Sequence, residues 1–141
     1  MMRMKRMSGK TSKPYYQLIC PENVPFCSLF LHQQDNQKKM LVDGMYDEFK
    51  QEGTTNIPTD DVKLMSYHVQ QLMSEIGEVL DADKRWKNFR NQKYDECAKL
   101  EEIADCFIVL MNVAMFSGFD GSQVVKAIEK KLNEVSERIG A

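Results

Sequence analysis

Residues 61–83 read DVKLMSYHVQQLMSEIGEVLDAD and carry two stripes at once. Val62, Met65, Val69, Leu72, Ile76 and Val79 recur at alternating intervals of four and three, the spacing of a helix packed in a bundle. Leu64, His68, Gln71, Glu75, Glu78 and Ala82 form a second stripe, and at about 100° per residue Glu75 and Glu78 lie roughly 60° apart on it. Thr59 or Asp60 is placed to cap this helix. A polar, aromatic connector over 84–94 follows. The next helix is expected from Asp95 to the Ser117-Gly118 stop, with Leu100, Ile103, Phe107, Leu110 and Ala114 as its stripe.

Working outward, Asp120 or Ser122 caps a last helix, with Val124, Val125, Ile128, Leu132 and Val135 inside. On the other side, Gly53 to Pro58 breaks the chain after an expected helix over 35–52, whose apolar side holds Met40, Leu41, Met45, Tyr46 and Phe49. Residues 1–34 contain Pro14, Pro21 and Pro25 and no helical period, so they read as an irregular basic extension ahead of a helical domain over 35–141. No alternating strand pattern occurs. The fold expected is all-α, a four-helix bundle.

Composition excludes several classes. Nineteen Lys and Arg against 21 Asp and Glu leave a net charge of −2, which argues against a nucleic-acid groove or an anionic membrane surface. The four cysteines form no CxxC, and only two histidines accompany them. They read as reduced thiols of a cytoplasmic protein, Cys20 and Cys27 being spaced too widely for a zinc knuckle. The basic start lacks the apolar segment of a secretory signal. The longest apolar run, 107–116, contains Asn112 and is about half of what a bilayer span requires.

The chemistry sits in the carboxylates. Glu102 and Asp105 repeat on the third helix the i, i+3 spacing of Glu75 and Glu78, and past Asp105 that helix is apolar nearly all round, as buried helices are. A buried carboxylate is costly unless it is paired, protonated or metal-bound, and Lys99 is the single cation within a helical turn of either residue. If the two acidic pairs face each other, four carboxylates converge on an all-oxygen site suited to Mg²⁺, with Mn²⁺ as a substitute, and not to zinc. Such a site implies work at a phosphate. A di-iron centre would need Glu-x-x-His, and neither His32 nor His68 supplies it.

SEIGE at 74–78, Trp86-Lys87, EEIAD at 101–105 and the apolar run that follows resemble the all-α nucleoside triphosphate pyrophosphohydrolases. That superfamily takes in the MazG-like proteins, the dimeric dUTPases, the dCTP pyrophosphatases and phosphoribosyl-ATP pyrophosphohydrolase. The likeness covers about residues 61–138. It implies Mg²⁺-dependent hydrolysis of a (deoxy)nucleoside triphosphate to the monophosphate and pyrophosphate, in a nucleotide-pool house-cleaning role. Glu75, Glu78, Glu102 and Asp105 are then the metal ligands and catalytic acids, one glutamate acting as base. By the same resemblance Lys130 and Asn133 are the nearest match to the last-helix residues that hold phosphates, with Lys126, Lys131 or Arg138 as alternatives, and Trp86 and Lys87 border the substrate. His68 and Asn112, on the same helix faces as the acids, are candidates to border the base. A dimer or tetramer is implied, with no nucleic-acid or membrane partner. Two competing readings are a non-catalytic nucleotide sensor or adaptor, and a structural bundle whose acids pair with lysines of the last helix.

Overall fold

A computed structural model describes residues 25–42, 60–89 and 93–140. Among them are four helices and no strand: α1 (Phe26–Val42), α2 (Val62–Ala82), α3 (Glu96–Phe116) and α4 (Gly121–Arg138), with a 3-10 turn, Lys84–Phe89, between α2 and α3. No single described helix is long and apolar enough to cross a membrane.

The first helix corrects the expectation. It begins at Phe26, inside the stretch read as irregular, while residues 43–52 of the expected 35–52 helix lie outside the described residues. Pro25 starts it: proline's fixed φ suits a helix entrance, and the Pro25 carbonyl accepts from the amides of Ser28 at 3.0 Å and Leu29 at 3.3 Å. The inward face is Phe26, Phe30, Gln33, Gln37, Met40 and Leu41. Two glutamines on that face erase the hydropathy period.

α2 and α3 form an antiparallel hairpin. Asp61 N–H donates to the Phe116 carbonyl at 2.8 Å at one end, and Lys99 meets Asp83 at 2.7 Å at the other. Asp61 caps α2 in place of Asp60, and Thr59 lies outside the described residues. Asp60 takes a left-handed φ of 55°, and the Asp61 carboxylate accepts from Leu64 N at 3.0 Å. Asp95 caps α3 through the amides of Cys97 and Ala98. Gly118, at φ 86°, ends α3 in a conformation that glycine adopts without cost. Asp120 and Gln123 then build a reciprocal capping box on α4.

The apolar stripes expected to form the core are only partly covered, and the seam is built on the stripe beside them. Leu64 and His68 of α2 meet Val109, Asn112 and Phe116 of α3 in the hairpin seam, so the stripe that carries the acids points inward. Of the apolar stripes expected as core, Met65, Leu72, Val79, Ile103 and Ala114 are half-buried, Met65 against Leu64 and Phe116. Val62, Val69 and Ile76 are instead exposed on α2 beside Met73, at 68%, as are Leu100, Leu110 and, at 64%, Phe107 on α3. On α4, Val124 and Val125 are half-buried, but Ile128, Leu132 and Val135 are exposed. Periodicity says that a face needs cover; it does not say which surface covers it. With four helices and one hairpin seam, a single chain leaves these faces bare.

α1 bridges the hairpin and α4. Met40 and Leu41 pack on Leu64 and Phe116, and Phe30 meets Gly121, where an added Cβ would lie 3.1 Å from the Phe30 Cβ. A side chain at Gly121 would require α1 to give by a few tenths of an ångström.

Candidate metal centre

The hairpin register brings the acids together. Glu75 projects from α2, Glu102 and Asp105 lie one turn apart on α3, and one carboxylate oxygen from each lies within 4.8 Å of the others. A hard cation with bonds to oxygen of about 2.1–2.6 Å can span such a gap. Glu78, expected as a fourth member, stands outside this trio and is exposed one turn further along α2. It remains electrostatically part of the site. The Glu102 carboxyl is pushed above its ordinary value by burial first, and then by the charges of Asp105, Glu78, Glu75 and Glu101. Cys106, half-buried beside the trio, has its thiol pushed up by burial and by Glu75, Asp105 and Glu102, which keeps it protonated.

Among the described residues no lysine or arginine pairs with the trio. Lys99, one turn from Glu102, is engaged elsewhere: its Nζ lies 2.7 Å from Asp83 Oδ2. Asp83, only 8% exposed at the end of α2, also receives Arg85 through Nε at 2.9 Å and Nη2 at 2.7 Å. Arg85 and Lys99 hold the Asp83 carboxyl well below the usual carboxylate range. The Tyr94 ring sits 4.1 Å from the Arg85 guanidinium carbon and 5.1 Å from Lys99 Nζ. Sequence reasoning missed this cluster. Asp83 and Arg85 are neighbours in the chain, but the partnership with Lys99, sixteen residues on, exists only through the hairpin.

Further down the same seam, His68 and Asn112 are buried against each other. Gln33 Nε2 of α1 donates to Asn112 Oδ1 at 2.9 Å, which leaves Asn112 Nδ2 to donate to His68 Nδ1 at 3.4 Å and assigns the imidazole proton to Nε2. The ring stacks on Phe116 at 5.1 Å and 7°. Burial lowers the His68 pKa to about 4, opposed by a hydrogen bond with Gln71. Because the unfolded chain then binds more protons between about pH 4 and 6.5, stability is full above pH 6.5 and falls as the pH drops. Urea denaturation is expected to lose up to about 3 kcal/mol across that window, and His68→Gln to flatten the slope. Equal slopes in the two proteins would contradict a buried neutral imidazole.

The remaining candidates are dispersed. Trp86 is exposed, its Nε1 donating to the Leu80 carbonyl at 2.9 Å, and Lys87 is exposed beside it. Lys130 and Asn133 are exposed on α4, where Lys130 faces Glu134 at 3.9 Å. No ion pair joins Lys130 to the trio among the described residues. A groove of about 470 Å³ runs between α1 and α3, lined by Leu29, Gln33, Leu100, Phe107, Ile108 and Met111, on the side of α3 turned away from the acids.

Comparison with protein-family models, with curated proteins and with solved structures found no match for this chain.

Proposed function

We propose that this chain is a Mg²⁺-dependent, MazG-like nucleoside triphosphate pyrophosphohydrolase that works as a homo-oligomer. The observation that carries the reading is the convergence of Glu75, Glu102 and Asp105 from two helices with no lysine or arginine paired to them among the described residues. Their chemistry fits the metal: all donors are hard carboxylate oxygens, and the crowding that raises Glu102 is relieved by a dication. When bound, Mg²⁺ supplies positive charge against the substrate's phosphate oxygens and acidifies water.

The protein's own groups do the rest. Glu75, Glu102 and Asp105 hold the cation, and Glu78, exposed at the rim and outside the trio, is placed to take the proton of the attacking water. Lys84 and Lys87, exposed on the turn that closes the hairpin, offer charge to the phosphates, and the exposed Trp86 ring offers a wall for a base. Pyrophosphate release should be measured over a panel of ribo- and deoxynucleoside triphosphates, with phosphoribosyl-ATP included. Release confined to the Mg²⁺ lanes supports the enzyme.

The competing readings part on the same samples. A sensor gains thermal stability from Mg²⁺ plus nucleotide without releasing pyrophosphate, whereas a structural bundle responds to neither. Among the described residues, the last-helix lysines Lys130 and Lys131 pair with Glu134 and not with the acids of the trio.

Assembly is supported by the bare apolar stripes on α2, α3 and α4, which are too extensive for scattered surface residues. Met73→Glu together with Leu132→Glu, at 68% and 62% exposed positions, is expected to lower the sedimenting mass without loss of helicity. A wild-type chain that sediments as a monomer would remove the oligomer from the proposal.

A further inference from the structure

We infer that Asp83 is a positioning residue: it holds Lys99 away from Glu102 and so keeps the acidic trio open for a divalent cation. This inference rests on the metal-site reading above.

Lys99 and Glu102 are three residues apart on α3, and i, i+3 side chains on a helix are close enough to pair. An acidic cluster with a lysine one turn away would ordinarily recruit it. Here the ammonium is drawn to the opposite helix, 2.7 Å from Asp83 Oδ2, in a pocket where Asp83 is 8% exposed. Arg85 anchors the same carboxylate through two further contacts at 2.7 and 2.9 Å, and the Tyr94 ring lies against both cations. Asp83 is thus fixed through both oxygens by Arg85, two residues on, and its Oδ2, which accepts from Arg85 Nη2, also accepts from Lys99.

The arrangement has an electrostatic consequence. An ammonium at Glu102 would occupy a carboxylate needed by the cation and would repel a dication at close range. The other carboxylates within a turn of Lys99 are Asp95, which already caps α3, and Glu96. Without the Asp83 charge, Glu102, one turn further along α3, is the member of the trio that Lys99 can reach.

The test is Mn²⁺ binding, by calorimetry and water-proton relaxation, to the full-length wild type, Asp83→Asn and Asp83→Asn/Lys99→Met, with circular dichroism to confirm the helices. The isosteric amide is expected to weaken Mn²⁺ affinity on the order of tenfold, and Lys99→Met in the same chain to restore it to within about threefold of wild type. Asp83→Ser carries the same expectation if the amide variant folds poorly. A wild-type affinity in Asp83→Asn overturns the inference, as does a loss that Lys99→Met leaves in place, because a merely structural Asp83 would not be rescued by deleting the lysine. Failure of the wild type to bind Mn²⁺ overturns the metal site itself, and the inference with it. The two failures are read from different lanes.

Discussion

Replacing Glu102 by glutamine is expected to raise the melting temperature of the cation-free protein while removing its Mg²⁺-dependent pyrophosphate release. The two effects have one origin. Burial and four neighbouring carboxylates penalise the charged form of Glu102, and an amide of the same shape removes that penalty. The same substitution deletes an anionic ligand from a trio whose oxygens lie within 4.8 Å. A metal supplies several kcal/mol of charge stabilisation, so losing it lowers turnover on the order of 10³-fold. Glu75→Gln should behave alike. Thermal melts with and without Mg²⁺, run beside the pyrophosphate assay, read both effects. In wild type Mg²⁺ raises the melting point, whereas in Glu102→Gln the cation-free value is already higher and Mg²⁺ adds nothing. Activity within threefold of wild type in both variants would end the metal-site reading. A gain in stability at a candidate site on losing a charge is the usual signature of a group held for function at the expense of stability.

Phe116→Ala is expected to be the most destabilising single change, by about 3–5 kcal/mol. Phe116 is wholly buried at the open end of the hairpin, opposite the connecting turn, where it packs on Leu64 and stacks on His68 at 5.1 Å, and its carbonyl receives the Asp61 amide at 2.8 Å. Truncation removes the ring that covers the imidazole as well as apolar area. Against a typical domain stability of about 5–15 kcal/mol, such a loss takes a third or more. Midpoints of urea denaturation measure it. A change below about 1 kcal/mol would mean that this end of the hairpin is not the core described above. Phe107→Ala, on an exposed face of the same helix, is the control: in the dissociated chain it should cost far less.

The helices from 61 onward were legible because their boundaries are written in local chemistry. Asp61 and Asp95 cap, Asp120 and Gln123 make a box, and Gly118 stops α3. α1 was misplaced because its inward face carries Gln33 and Gln37 between Phe30 and Met40, and these amides hide a helical period. At the site, Glu75, Glu102 and Asp105 were readable from their i, i+3 spacing and the apolar run beyond them. The position of Glu78 outside the trio was not readable, nor was the Asp83–Lys99 pair, since both depend on how far two helices are rotated and slid against each other.

The sequence by itself determined that three helices lie between residues 61 and 138 and which carboxylates share a helix face, because capping, glycine stops and a 3.6-residue period act within a few residues of each other. Tertiary structure decided which of two competing stripes turns inward. Both faces of α2 and α3 can be covered, and the choice depends on long-range partners: Asn112 finds His68, Phe116 finds Leu64, and Lys99 finds Asp83. That choice put Leu64, His68, Asn112 and Phe116 in the seam, with Glu75 and Glu102 half-buried along it, and left about half of each apolar stripe exposed, since hydrogen bonds and ion pairs demand particular partners whereas apolar area accepts any cover.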